Sequence, residues 1–346
     1  MVPYIILSFA LSIISMPIII KLCNKYSLYD YQSSRKIHFG NISRLGGIGI
    51  AISFFVSTIL YLIFSTTISF TAYFPVILAG LIIFIFGLVD DLITMRAIVK
   101  LLVQILASFI VIIYGFRFKQ IASWEIPTFL SYAITFCWII GVINAFNLID
   151  GLDGLCGSLS FTAIITLGII YALSGNNGSA ICFILGASIL GFLCFNWPPA
   201  KLFMGDCGSQ FLGFMISTAA FFPANYTIEF NKFLIITCLA AFPIFDTIAA
   251  IWRRIRDKRP IMSPDKAHLH HKLLNLGYTK QNSLYLIVFI QVILCSFVVL
   301  SYILGTYKGA MVLVLTIFFI SLFFTFIHYT NKAILKQNKS AQENKE

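Results

Sequence analysis

The sequence predicts an all-α, polytopic membrane protein, and three observations predict it. Hydrophobic residues make up 59% of the 346 residues and charged residues 11%, against about 25% charged in an ordinary soluble domain. Mean hydropathy is +0.94, so a water-soluble fold would have to coat its outside with apolar atoms. The apolar residues also fall in uninterrupted runs of helix-spanning length, not in the alternating strands of about ten residues that build a membrane barrel.

About eleven such runs are predicted, at roughly 2–22, 46–65, 74–89, 98–115, 128–147, 158–173, 179–195, 209–223, 232–251, 284–304 and 309–328. The first lacks a basic leader and a small-residue cleavage site and reads as a retained helix. Several are short, which predicts helices that are broken or shielded by protein. Among the outer loops only residues 116–127, with Arg117, Trp124 and Pro127, can hold a small hairpin. Residues 1–328 read as one integral-membrane domain, and 329–346 as a polar, lysine-bearing, frayed tail.

The net charge of +11 is read through topology. With the N-terminus outside, twenty of the 24 lysines and arginines fall on the inner side, and only Arg117, Lys119, Lys232 and Lys308 lie outside. This positive-inside bias puts the C-terminus in the cytoplasm. There is no soluble domain with a basic face, so nucleic acid is not an expected partner. The eight cysteines show no CxxC spacing and read as small helix-packing residues.

The acids are the unusual feature. Eleven of 13 fall at inner loops, inner helix ends or the tail. Asp90 and Asp91 end the third run, Asp150 and Asp153 follow the fifth, Asp206 precedes the eighth, and Asp246 lies one turn inside the end of the ninth. Carboxylates at membrane depth are costly and functional by default. A group of them at one face suits a hard divalent cation with oxygen ligands, above all Mg²⁺, which keeps substrate phosphates in its shell. Lys100 and Gln104 share a face of the fourth run, and Lys201 and the stretch from Arg253 to Lys272 add cations nearby. Topology accounts for the Arg253–Arg259 run about as well as phosphate binding does. His268, His270 and His271 lack a nearby cysteine and are adjacent, which favours phosphate or uracil contact over zinc. His38 fits a solvated loop and His328 a membrane-interface position. Glycines alternate with polar residues in Asn144-Ala145-Phe146-Asn147-Leu148-Ile149-Asp150-Gly151-Leu152-Asp153-Gly154 and in Phe203-Met204-Gly205-Asp206-Cys207-Gly208-Ser209. Each segment opens a helix, whose N-terminus favours an anion.

Taken in order, Asp90-Asp91, Lys100, Asn144 to Gly154, Phe203 to Ser209 and His268-Leu269-His270-His271 resemble the polyprenyl-phosphate N-acetylhexosamine-1-phosphate transferases of glycosyltransferase family 4. That superfamily also contains the phospho-MurNAc-pentapeptide transferase. Arg35-Lys36-Ile37-His38, Ser43-Arg44-Leu45-Gly46-Gly47, Pro243-Ile244-Phe245-Asp246-Thr247 and the stretch from Pro260 to Leu273 resemble the branch that transfers GlcNAc-1-phosphate, and the single leucine inside the histidine run departs from the pentapeptide branch. The resemblance implies eleven spans with an outside N-terminus. It also implies a reaction at the cytoplasmic face of the inner membrane, in which a UDP-N-acetylhexosamine and polyprenyl (undecaprenyl) phosphate give polyprenyl-diphospho-sugar and UMP, with Mg²⁺ or Mn²⁺ in its place. Asp206 would ligate the metal directly, with Asn147 beside it. Asp90 would deprotonate or position the lipid phosphate, supported by Asp91. Asn144, Asn147, Asp150 and Asp153 would shape the nucleotide and metal pocket, and Lys100 with His268, His270 and His271 would bind diphosphate. A homodimer is compatible with the resemblance. The pentapeptide transferase is the alternative within the superfamily. A polytopic transporter is the alternative outside it, although its charges belong at the midplane and here they crowd one face.

Overall fold

The computed structural model describes residues 1–29, 42–65, 69–260 and 267–343. The motif residues Arg35, Lys36 and His38, and Pro264 to Lys266, lie outside the described residues. All eleven predicted runs are helical. They are α1 (Val2–Tyr26), α2 (Gly46–Phe64), α3 (Phe70–Ile93), α4 (Ala97–Ile113), α5 (Thr128–Ile149), α6 (Leu155–Leu173), α7 (Gly178–Asn196), α8 (Gly205–Ala219), the pair α9 (Tyr226–Leu239) and α10 (Ala241–Arg256), α12 (Lys280–Ile303) and α13 (Thr306–Glu343). A seven-residue helix, α11 (Leu269–Asn275), carries the histidine segment. The hairpin expected in the 116–127 loop is present as β1 (Gln120–Ile121) paired antiparallel with β2 (Trp124–Glu125). Among the described residues eight helices are long and apolar enough to cross a membrane, and the α9–α10 pair makes a bent ninth. The chain is thus an all-α, multi-pass membrane protein.

Two segments depart from the expected runs. The ninth run is not one straight helix, because α9 and α10 meet at an angle of 69°. Pro243 sits in the first turn of α10, where it has no N–H to donate and its ring excludes a carbonyl four residues back, so the preceding helix must end. The Gln291 side chain from α12 donates to the freed Leu239 carbonyl at 2.9 Å. Beyond the bend, α10 leaves Ile248, Trp252 and Ile255 exposed and buries Arg253 and Arg254, the arrangement of a helix whose outer face meets lipid. The second departure is α13. The tail expected to fray from Tyr329 continues as helix to Glu343, giving a rod of about 57 Å at 1.5 Å per residue.

The short eighth run is shielded by protein, as its length predicts. α8 has 15 residues, nearly all buried, and packs against α2, α3 and α5. Small residues allow these approaches. A Cβ on Gly87 would lie 2.6 Å from the Cys207 Cα, and one on Gly213 would lie 2.8 Å from the Ile143 Cα. Without a hydrophobic force between helices in lipid, such close backbone packing does the holding. The N-terminus of α2 is pinned to the chain just before α8, with Gly46 N–H donating to the Phe203 carbonyl and Gly47 N–H to the Met204 carbonyl, each at 2.8 Å. Serines tie α1 to α7, Ser12 Oγ donating to the Ser188 carbonyl at 2.7 Å. The result gathers the C-terminal end of α3, the N-terminal ends of α4 and α8 and the C-terminal end of α5 at one end of the bundle.

Candidate active site

Four side chains form the centre of that end. Asp90 and Asp91 close α3, Lys100 lies in the first turn of α4, and Asp206 lies in the first turn of α8. Lys100 Nζ pairs with Asp90 Oδ2 and, at 2.8 Å, with Asp206 Oδ2. Asp90 Oδ1 accepts from the Met95 backbone at 2.6 Å, which fixes its carboxylate as the chain turns from α3 to α4. Asp91 does something different. Its Oδ1 accepts from Asp206 N–H and its Oδ2 from Cys207 N–H, each at 2.9 Å. Asp91 therefore caps the start of α8 from another helix, satisfying two backbone donors that the helix cannot pair internally. The Arg44 guanidinium in turn donates to the Asp91 carbonyl. Gly205 is required at this crossing. Its φ is +73°, and a Cβ there would lie 2.3 Å from the Arg44 carbonyl oxygen and 2.6 Å from Asp91 Oδ2.

The centre opens into a cavity of about 340 Å³. Nine of the eleven residues singled out from the sequence line it: Asp90, Asp91, Lys100, Asn147, Asp150, Asp153, Asp206, His270 and His271. Asn147 Oδ1 accepts from Ser209 Oγ at 2.8 Å, and Asp153 Oδ2 accepts from Ala200 N–H at 3.0 Å. Two of the eleven do not line it, which corrects the roles expected for them. Asn144 lies farther into the bundle, donating to Gln104 Oε1 and to the Ile140 carbonyl at 2.8 Å each. His268 is an anchor. Its Nδ1 meets Asp246 Oδ2 at 2.7 Å, and Asp246 Oδ1 accepts from Leu269 N–H at 2.8 Å. Asp246, on α10, thus holds the start of the histidine helix by a ring and a backbone group, and it does not face the cavity. His270 and His271 are delivered to the cavity in consequence. Burial, with the neighbouring His271 as a smaller cause, pushes the His270 imidazole down to about 3, so it is neutral at any ordinary pH. Gly151 makes room for it, since a Cβ there would lie 2.5 Å from the His270 ring.

Arg44 and Lys280 also line the cavity, and neither stands among the eleven. Lys280 begins α12, where the helix dipole disfavours a cation. A lysine in that position is a signal in its own right that the charge serves something outside the helix.

The donor set fits a hard divalent cation. Two carboxylates converge on a single ammonium, Asp206 opens to the cavity, and the nearby Cys207 sulfur is buried and bonded to the Met204 carbonyl. Among the described residues no three His, Cys, Asp or Glu side chains make a ready metal cage. A cation here would take few protein ligands and complete its shell with water and phosphate oxygens, as Mg²⁺ does.

Carboxylates, cations and histidines around one cavity at the end of a membrane helix bundle define an integral-membrane protein equipped to handle phosphate esters. Known proteins narrow this class. Residues 73–223 match glycosyl transferase family 4. The chain is 34% identical over 301 residues to a probable undecaprenyl-phosphate N-acetylglucosaminyl 1-phosphate transferase of Bacillus subtilis, an alignment spanning 83% of this chain and 82% of that one. It is 30% identical over 294 residues to a decaprenyl-phosphate N-acetylglucosaminephosphotransferase of Mycolicibacterium smegmatis, spanning 76% and 72%. It is 29% identical over 294 residues to an undecaprenyl-phosphate alpha-N-acetylglucosaminyl 1-phosphate transferase of Escherichia coli, spanning 81% and 78%. The chain belongs to the polyprenyl-phosphate N-acetylhexosamine-1-phosphate transferase family.

Proposed function

We propose that this protein transfers GlcNAc-1-phosphate from UDP-GlcNAc to undecaprenyl or another polyprenyl phosphate, releasing UMP and beginning a lipid-linked envelope glycan such as O-antigen or teichoic acid. One observation carries the reading beyond family membership: Lys100 is shared between Asp90 and Asp206 at the mouth of a polar cavity where membrane helices end. Such a site lets a lipid phosphate arrive from the bilayer and a nucleotide sugar from water. In the reaction a lipid-phosphate oxygen bonds to the β-phosphorus, and the bond from that phosphorus to the bridging oxygen breaks, leaving UMP.

The residues divide this work. Asp90 positions the lipid phosphate or takes its proton. Lys100, Arg44 and Lys280 offset the charge of two approaching anions. Neutral His270, with His271 beside it, donates a ring N–H to a diphosphate oxygen, and Asn147, Asp150 and Asp153 border the nucleotide. Mg²⁺, or Mn²⁺ in its place, would be held by Asp206 with Asn147 beside it and would neutralise charge on the transferring phosphate.

The site belongs on the cytoplasmic face of the inner membrane in this reading, with eleven spans, the N-terminus outside and the C-terminus inside, as the lysine and arginine bias supports. Cysteines introduced at Lys308 and Lys258 should label from outside and inside respectively, and the opposite pattern overturns the orientation. The function is tested with purified protein, polyprenyl phosphate and Mg²⁺, offering UDP-GlcNAc and UDP-MurNAc-pentapeptide in competition. UMP release with lipid-linked GlcNAc as the main product is expected. Lipid-linked MurNAc-pentapeptide would move the chain to the sister branch, and no UMP from either donor would overturn the reading.

A further inference from the structure

A second polar layer lies behind the carboxylates, and the transfer reaction as proposed makes no use of it. Gln104 stands four residues after Lys100 on α4, Gln210 four after Asp206 on α8, and Asn144 three before Asn147 on α5. Residues at these spacings share a helix face. Each cavity residue therefore has an amide behind it, about one turn or 5 Å farther into the bundle. The amides are joined to one another. Asn144 Nδ2 donates to Gln104 Oε1 at 2.8 Å, and Gln104 Nε2 donates to Gln210 Oε1 at 3.3 Å. Gln104 and Gln210 are 2% and 4% exposed, and none of the three lines the cavity. Gln210 Nε2 has no partner among the described residues.

Gln104 and Gln210 are buried and Asn144 is half-buried, and buried amides at this depth are costly, because no water replaces a missing bond. Three apolar side chains would pack α4, α5 and α8 together without that cost. What a hydrogen-bonded layer adds is one rotation and one register for the helices that carry it. Register matters at this end of the bundle. Lys100 comes from α4 and Asp206 from α8, and the lysine must reach Asp206 and the Asp90 carboxylate at once.

We propose that Gln104, Gln210 and Asn144 are positioning residues for the transfer, an amide layer that sets the reach of Lys100 to Asp90 and Asp206. This rests on the proposed function. Gln104→Met and Gln210→Met keep side-chain length and remove the amide. The full-length protein in detergent is measured for UMP release per folded molecule, for KM toward UDP-GlcNAc and for thermal unfolding, with wild type alongside. Misplacing a reacting group by about 1 Å costs up to about a hundredfold, so kcat should fall by about 10- to 100-fold. The donor KM should stay within about twofold, and Tm should be unchanged or higher. Gln210→Glu, which still accepts from Gln104, should recover most of the lost kcat. A purely structural layer predicts the reverse, lower Tm with wild-type kcat per folded molecule, and that result overturns the proposal. Should the Met variants not fold, Gln104→Asn, which keeps the amide one carbon short, must show the same fall in kcat or the proposal fails. Wild-type protein with no transfer at all overturns the functional reading and this inference with it, whereas active wild type with equally active variants overturns the layer alone.

Discussion

The carboxylate centre and the histidine segment border the same cavity, but they are held there by different means. In the centre every side chain stands at the end of a bundle helix and is paired across helices: Lys100 from α4 to Asp90 on α3 and Asp206 on α8, and Asp91 on α3 to the first N–H groups of α8. Moving any one of these requires moving a helix of the packed bundle. His270 and His271 stand on a seven-residue helix, held at its start by Asp246 through the His268 ring and the Leu269 N–H. A site on the ends of bundle helices keeps its geometry to fractions of an ångström, whereas a short helix laid against α12 and α13 can shift as a unit. Under the proposed function this suits the centre to the transfer step and the histidine segment to gripping a substrate that arrives and leaves.

Removing charge from the centre should have the largest effect. Asp206→Asn keeps the shape of the first turn of α8 and removes the charge offered to a divalent cation. Losing that neutralisation should cost several kcal/mol in the transition state, roughly a hundredfold or more in turnover. Thermal unfolding should change little. Titrating Mg²⁺ against UMP release, with a melting curve alongside, checks both, and wild-type turnover with unchanged Mg²⁺ dependence would sink the assignment.

Asp91→Asn probes the same centre through its backbone. An amide offers one acceptor where the carboxylate offers two, so either the Asp206 or the Cys207 N–H is left without a partner. A lost cap costs about 0.5–2 kcal/mol of stability. Because the N–H of Asp206 itself is involved, turnover should also drop, by about tenfold, an effect of about 1.4 kcal/mol. A stability loss with unaltered turnover would show that Asp91 only caps, and the two regions would then differ less than their contacts indicate.

What the sequence made legible follows the same division. Helices were readable because long apolar runs leave no other solution in lipid. The acids were readable because a carboxylate at membrane depth needs a reason. Pairing was not readable. Nothing in the order Asp90-Asp91 says that the first pairs with Lys100 and the second caps α8, since that depends on a helix more than a hundred residues later. Nor does the histidine run say that its first ring is spent on Asp246. Asn144 and Asn147 look alike on paper, and the helical period alone puts one of them a turn too deep. The bend at Ala240 was in the sequence, as Pro243 inside an apolar run, but length and hydropathy favoured one straight span.

The histidine segment should respond to loss of its anchor by binding more weakly while reacting about as fast. Asp246→Asn keeps an acceptor for Leu269 N–H and loses the charge that faces His268. Hydrogen bonds to charged groups contribute about 1.5–3 kcal/mol, and part of that should appear as a rise of about 3- to 10-fold in donor KM. With kcat within about twofold, the lost interaction is one made equally in the ground and transition states. Steady-state kinetics over UDP-GlcNAc concentration separates the two parameters. A fall in kcat at constant KM would place the segment in the chemical step and erase the contrast with the centre.

The last expected effect is one of pH, and it is read at His270. Its imidazole is held down to about 3 by burial and by His271, while in an unfolded chain it titrates near 6.5. Above about pH 6.5 both states are neutral and the group has no effect on stability. As pH falls below 6.5 the unfolded chain takes up a proton that the folded site refuses. Stability is therefore lost progressively from about pH 6.5 toward pH 3, at no more than about 1.4 kcal/mol per pH unit. Between pH 7.5 and 5.5 the loss amounts to about 1.4 kcal/mol. His270→Gln, neutral throughout, should lack this part of the pH dependence, so the difference between the melting curves of wild type and variant isolates it from every other titrating group. A bound diphosphate would place negative charge beside the ring and favour its protonated form, so UDP-GlcNAc should narrow the wild-type loss and leave the variant's unchanged. Identical pH dependence in the two proteins would mean that His270 is wet rather than buried. The histidine segment would then be looser than its Asp246 anchor makes it, and its contrast with the carboxylate centre greater.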